Sequence, residues 1–264
     1  MSSKRSPFDK YAYYLSSVQD PPQTVDFLER AYREVSGGEP HRLREDFCGT
    51  FALCCEWSDR DRRNIAYGLD LDSEPLDYGG RYYLPQLEPA VRRRVHALQG
   101  NVLHRRVPPV DIAVALNFSY YALKEREVLL SYFRKARAGL RPKGLLILDA
   151  FGGIDTHAPI EEKSAYDDFT YYWDQVSFDP ITYHARFYIH FKRKGEAKRK
   201  RVFRYDWRMW TLPELKDCLR EAGFRETRIY WEGTTPKGEG NGKFHPTTSE
   251  EDCEAWVAYV VARK

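Results

Sequence analysis

Two short runs constrain the fold of this chain more than any other feature. Residues 111 to 116 read D-I-A-V-A-L, and residues 145 to 150 read L-L-I-L-D-A. Neither run alternates apolar with polar residues, so each reads as a strand covered on both faces. Between them Leu129, Leu130, Phe133, Ala136 and Leu140 recur at helical spacing, and Arg141-Pro142-Lys143-Gly144 makes a turn. Strand, helix and parallel strand is the repeating unit of a sheet wrapped by helices.

The same rhythm runs upstream and downstream. A helix is expected from about Thr24 to Val35, ended by Ser36-Gly37-Gly38. His41 to Phe47 reads as a strand, Phe51 to Trp57 as a helix, Asn64 to Leu71 as a strand, and Val91 to Leu98 as a weaker strand. Thr211-Leu212-Pro213-Glu214 is a capping box that opens a helix, and Gly223 closes it. Arg228 to Trp231 and Ala255 to Ala262 complete the count, with a Gly-rich loop at 233 to 246 between them. The expected fold is α/β: a seven-stranded, mostly parallel sheet with helices on both faces.

One stretch breaks the rhythm. Tyr183, Ala185, Phe187, Ile189 and Phe191 alternate with His184, Arg186, Tyr188, His190 and Lys192. Phe203, Tyr205, Trp207 and Met209 alternate likewise with Arg204, Asp206 and Arg208. Period two with one apolar face predicts an antiparallel hairpin inserted at about 181–210. Residues 1–36, with Tyr11, Tyr13 and Tyr14 before Asp20-Pro21-Pro22, form a Tyr-rich segment and a helix ahead of the main domain, 37–264. That segment is a candidate lid.

Composition narrows the partners. With 42 basic and 39 acidic residues the net charge is +3, which makes no case for a general nucleic-acid binder. The basic clusters at 92–94 and 192–201 read as solvated turns. The five cysteines, Cys48, Cys54, Cys55, Cys218 and Cys253, are odd in number and lack a C-x-x-C pair. Neither a disulfide framework nor a metal site is expected, and Cys54 and Cys55 read as core. Residues 1–10 are polar, and no apolar run is long enough to span a bilayer, so a reducing, cytoplasmic setting is expected.

Ligands of an open parallel sheet bind at the carboxyl ends of its strands. The first strand runs out into Glu45, Asp46, Phe47, Cys48, Gly49 and Thr50. Thr50 is placed to cap the next helix, whose first amides suit an anionic or polar group. The second strand ends at Asp70, Leu71 and Asp72. A carboxylate there can accept hydrogen bonds from both hydroxyls of a ribose, and its distance from Gly49 is near the roughly 20 residues usual for such sites. Asp72 reads as the start of a helix.

On these residues the chain resembles the class I S-adenosylmethionine-dependent methyltransferases, which are Rossmann-like, from about residue 24 to 264. Glu45 takes the place of the acidic residue of their first motif, and Cys48-Gly49-Thr50 the centre of its Gly-x-Gly-x-Gly turn. Phe47 and Phe51 stand where the first and third glycines are expected, so the turn is expected to be reshaped. The resemblance implies that Asp70 binds the ribose and that Leu71 packs on the adenine. It implies that Asn101 and Val102, in Gly100-Asn101-Val102, meet the adenine edge. It also implies that Asn117 opens onto the methyl group. No Asn-Pro-Pro-Tyr follows the fourth strand, which argues against amino methylation of bases or glutamine. The implied cofactor is S-adenosylmethionine.

Methyl transfer from a sulfonium is an in-line displacement, for which alignment and desolvation matter most. A general base is needed only where the acceptor must lose a proton. Candidates are Tyr120 and Tyr121 after the fourth strand, His157 after the fifth, and His184 and His190 on the polar face of the hairpin, against a plain surface or hydrogen-bonding role for each histidine. A small-molecule acceptor is favoured. The alternatives are an RNA or protein methyltransferase using the basic clusters, or a catalytically silent nucleoside-binding protein. An NAD-dependent oxidoreductase ranks last, because an intact G-x-G-x-x-G is missing from the first turn.

Overall fold

The alternating burial of β4 explains its unbroken apolar run. The computed structural model describes residues 6–236, 238 and 240–264. Its elements run α1 (Lys10–Val18), α2 (Pro21–Ser36), β1 (Arg42–Asp46), α3 (Ala52–Arg60), β2 (Ile65–Asp70), α4 (Ser73–Tyr82), α5 (Pro89–Arg92), β3 (Val95–Gln99) and β4 (Val110–Ala115). Then come α6 (Arg126–Ala138), β5 (Leu140–Gly152), β6 (Ile160–Ala165), β7 (Phe169–Phe178), β8 (His184–Arg193), β9 (Arg199–Arg208), α7 (Leu212–Glu221), β10 (Glu226–Thr234), β11 (Gly240–Thr247) and β12 (Trp256–Arg263). Ala113 and Ala115 of β4 face α6 and α7, whereas Ile112 and Val114 face α2 and α3. Leu146 and Leu148 of β5 divide from Leu145 and Ile147 in the same way.

The large sheet has the order β11-β10-β12-β5-β4-β1-β2-β3. Its β1–β5 part is parallel, and β12, β10 and β11 add antiparallel pairs at one side. It therefore has eight strands where seven were expected. The extra strand, β11, lies in the segment read as a Gly-rich loop. Its backbone pairs with β10, so it needs little apolar patterning of its own.

The inserted hairpin is half of a second, four-stranded antiparallel sheet, β6-β7-β8-β9. The register pairs Ile189 with Phe203 and Trp173 with Ile189. Strand β6, I-E-E-K-S-A, is almost wholly exposed and carries no apolar alternation that could announce it. Strand β7 turns Phe169, Tyr171, Trp173 and Gln175 to one face, a period-two pattern that extends the apolar face of β8 and β9.

Residues 1–36 split between two roles. Helix α2, capped by Asp20, buries Val25, Phe27, Leu28, Ala31, Tyr32 and Val35 in a helical layer of the large sheet. Helix α1 buries no residue completely and packs Phe8, Tyr13, Tyr14 and Val18 on the four-stranded sheet. Among the described residues no helix is long and apolar enough to cross a membrane.

Candidate functional site

Strand β1 carries an unusual load of buried charge. Arg44 and Asp46 pair at 2.8 Å on one face, and the Tyr132 hydroxyl donates to Asp46 at 2.9 Å. A buried ion pair is tolerable only when its partners are met in this way. Glu45 points the other way, 5% exposed, and accepts from the Cys54 thiol at 3.1 Å. Burial pushes its carboxyl up to about 8, opposed by the contacts with Cys54.

The turn after β1 departs from expectation. Phe47, Gly49 and Phe51 all have positive φ, at 59°, 53° and 49°. These are the three places where glycines were expected, and the backbone keeps the left-handed form at each. Two phenylalanines hold that strained geometry because their rings are packed: Phe51 is fully buried and Phe47 lies against Tyr132. Phe51, not Thr50, caps α3, and no side chain bonds the helix start; Thr50 is simply buried. A Cβ at Gly49 would meet nothing within 4 Å, so space lies open beside the turn.

Asp70 ties this turn to β2. Its carboxylate accepts the Gly49 N–H at 2.7 Å and the Asp72 N–H at 2.9 Å. Leu71 follows with 69% of its surface exposed, an apolar side chain left in solvent beside the carboxylate. Asp72 caps α4. Beyond β3 the Asn101 side-chain oxygen Oδ1 accepts the Leu103 N–H at 2.8 Å, and Val102 packs on the core below.

Beyond β4 the chain turns through Asn117 and Phe118, again with positive φ, at 54° and 57°. Both amides donate to the carboxylate of Asp149, at 2.6 and 2.9 Å. Burial pushes the Asp149 carboxyl up to about 7, against the lowering effect of those amides. Asp149 is the fifth residue of the L-L-I-L-D-A run, and sequence reading passed over it. The signal was there: a lone carboxylate inside a strand buried on both faces must have bound partners or a function.

A cleft of about 340 Å³ opens where these elements meet the four-stranded sheet. Glu45, Leu116, Asn117 and Asp149 form its sheet side, and Tyr171, Trp173, Ile189, Tyr205 and Trp207 the opposite wall. Helix α1 lies across it. Tyr11 is raised above its ordinary range by burial and then by the charges of Glu74, Asp72 and Asp70. Tyr14, one turn on, is raised to about 12 by burial, and faces Tyr205 and Asp149. The helix thus spans from the end of β2 to the end of β5. It is held by Tyr78 donating to Asp9 at 2.7 Å, by the Lys10–Glu74 pair at 2.6 Å and by Tyr166 donating to the Ser17 carbonyl. Gln19, at its end, lines the cleft, and its buried side-chain oxygen has no partner among the described residues.

Of the residues expected at a cofactor site, Glu45 and Asn117 line the cleft itself. Phe47, Cys48, Gly49, Thr50, Asp70, Leu71, Asn101 and Val102 lie along the same edge, on the loops after β1, β2 and β3. The catalytic candidates lie elsewhere. Tyr120 is fully buried, and its hydroxyl donates to the Asp149 carbonyl at 2.8 Å. His157 stacks on Phe178 beside a separate hollow with Met209 and Trp210. His184 and His190 share the face of β8 opposite Ile189, which is the one lining the cleft. His190 donates to Asp174 at 2.9 Å and accepts the Arg201 N–H. With Glu161 these two form a three-ligand cluster, but Lys198 pairs with Glu161, so the group is a closed ion-pair network.

No protein-family profile matches the chain, and no curated protein matches it. Solved structures do. An S-adenosylmethionine-dependent methyltransferase from Clostridium acetobutylicum ATCC 824 is 16% identical, with a TM-score of 0.69 over 95% of this chain and 97% of that one. An amino pentose methyltransferase from Micromonospora echinaspora, solved with S-adenosylmethionine bound, is 18% identical, with a TM-score of 0.65 over 99% of each chain. A sugar N-methyltransferase from Streptoalloteichus sp ATCC 53650 is 15% identical, with a TM-score of 0.62 over 100% and 98%. What this chain shares with them from end to end is the class I S-adenosylmethionine-dependent methyltransferase fold.

Proposed function

We propose that this protein transfers a methyl group from S-adenosylmethionine to a small molecule held in the cleft. The observation that carries the reading is the turn after β1. It keeps the left-handed form at 47, 49 and 51 even with two phenylalanines, and Asp70 braces its central amide at 2.7 Å. The buried rings offset the strain of that conformation, and a strained turn of this kind is kept where a bound ligand approaches the backbone closely.

The chain offers a partner for each part of the cofactor. Asp70 would hold the ribose, the exposed Leu71 the adenine face, and Asn101 with Val102 the adenine edge. Glu45, buried in the cleft wall beside the thiol and backbone of Cys54, would meet an ammonium group, and the unpartnered oxygen of Gln19 would accept from it too. When bound, the cofactor supplies an electrophilic methyl on a sulfonium. The protein's part is to orient the acceptor against it, to exclude water under α1, and to move a proton where the acceptor has one to lose.

Helix α1 serves as the lid. It has no fully buried residue and is tied down by side-chain contacts at both ends, so its opening would uncover only the small Phe169–Ile189–Phe191 cluster beneath it and leave the core of the large sheet covered. The five unpaired cysteines suit a cytoplasmic protein. Calorimetry tests the central reading. S-adenosylmethionine and S-adenosylhomocysteine are expected to bind in the micromolar range, and absence of heat at high micromolar concentration would refute it.

A further inference from the structure

We propose that the acceptor is a small primary or secondary amine. It enters as its ammonium ion into a cage formed by Tyr14, Phe118, Tyr171, Trp173, Tyr205 and Trp207, with Asp149 as the carboxylate that faces it and takes its proton. The inference rests on the methyltransferase reading above and deepens it.

The first support is charge. Asp20, Glu45, Asp149 and Glu232 line the cleft, and among the described residues no Lys, Arg or His does. The chain has 42 Lys and Arg, so their absence from this wall is not a matter of supply. A carboxylate, phosphate or sulfate acceptor would find no basic side chain here among the described residues, and four acidic ones. An ammonium finds the reverse.

The second support is the aromatic wall. The Tyr205 and Trp207 rings lie 4.5 Å apart, and Trp173 lies 6.0 Å from each. The faces of such rings attract cations, most strongly where water is excluded. The wall belongs to the four-stranded sheet and Tyr14 to the lid. Glu45, assigned to the cofactor, stands on β1, and Asp149 stands two strands away on β5. The cofactor's own positive charge therefore does not account for the second carboxylate.

The third support is the hydrogen bonding of Asp149. Its two oxygens accept the Asn117 and Phe118 amides. A carboxylate offers about four acceptor sites, so about two remain. Its carboxyl, raised by burial to about 7, is poised to gain and lose a proton near neutrality.

The step balances. The ammonium gives one proton to the Asp149 carboxylate and becomes a neutral amine. The nitrogen lone pair forms the new bond to the methyl carbon. The carbon–sulfur bond breaks with its electron pair staying on sulfur, which becomes a neutral thioether. The positive charge leaves as the methylated ammonium.

The test is a titration of tryptophan fluorescence, since Trp173 and Trp207 line the cleft. Matched probes are benzylamine, benzyl alcohol and benzoate, each added in the presence of S-adenosylhomocysteine. Benzylamine is expected to bind about tenfold or more tighter than benzyl alcohol, and benzoate not to bind. In D149N the amine preference should shrink severalfold while the alcohol's affinity stays. Equal binding of alcohol and amine by the unmodified protein, or tight binding of benzoate, would overturn the proposal, and this arm needs no variant to fold. A protein that binds S-adenosylhomocysteine yet shows no amine preference loses this inference alone. One that does not bind it loses the parent reading as well.

Discussion

The ring of Phe51 fills the space that a side chain at residue 79 would need. A Cβ on Gly79 would lie 2.5 Å from Cε1 of Phe51 and 2.2 Å from the Thr50 carbonyl oxygen. The turn after β1 and helix α4 after β2 are thereby locked together, and the glycine that the turn lacks at 51 has its counterpart across the contact at 79.

Gly79→Ala is therefore expected to cost about 1–3 kcal/mol of stability through overpacking, because a backbone carbonyl cannot move aside as a flexible side chain would. It should also weaken S-adenosylmethionine binding by shifting the turn. Phe51→Gly should lose a few kcal/mol net, since the buried ring is worth about 3–5 kcal/mol and the relief of left-handed strain only about 1–2. Denaturant melts of both variants check this; an unchanged midpoint for Gly79→Ala would disprove the contact.

Asp70→Ala removes the carboxylate that braces Gly49 and that is assigned to the ribose. Cofactor affinity should fall by about 1–3 kcal/mol, the scale for hydrogen bonds to a charged group. Calorimetry on the folded variant decides it, and an unchanged dissociation constant would withdraw Asp70 from the site.

Tyr120→Phe separates structure from chemistry. The hydroxyl is buried and spent on the Asp149 carbonyl. Its removal should cost about 1 kcal/mol of stability with little change in kcat. A loss of kcat on the scale of general acid–base catalysis, about 100-fold or more, would return Tyr120 to the catalytic candidates.

Stability should fall as pH rises from about 4.5 to 8. Burial lifts the Glu45 carboxyl from its ordinary 4.5 to about 8 and that of Asp149 from 3.8 to about 7. In this window the folded protein holds protons that the unfolded chain has released, so raising pH favours unfolding. The stabilisation is complete below about 4.5 and gone above about 8. The nearby charges of Asp70 and Asp46 reinforce the effect, whereas the Cys54 contacts oppose it. Thermal melts across the window should show a flatter slope in Glu45→Gln; an identical slope would remove Glu45 from the account.

Much of the scaffold was legible in local pattern. A strand covered on both faces has to be apolar throughout, and this marked β4 and β5 without any knowledge of their neighbours. In a parallel sheet the loops after every strand emerge on one edge, so the places of Gly49, Asp70, Asn101 and Asn117 followed from strand order. The period-two alternation of β8 likewise announced a sheet with one apolar face.

What tertiary structure decided was everything set by contacts distant in the chain. Strands β6 and β11 exist because a neighbour's backbone pairs with them, not because of their own composition. Phe47 and Phe51 hold a glycine conformation because buried rings offset the strain. His184 and His190 are turned from the cleft because the sheet lays the other face of β8 over it. Asp149 joined the cleft wall only when the turn at Asn117, helix α1 and the aromatic residues of the four-stranded sheet came together around it. Among the described residues, the absence of basic side chains from that cleft is a property of packing: a chain of net charge +3 hides it, and only the fold sorts its charges in space.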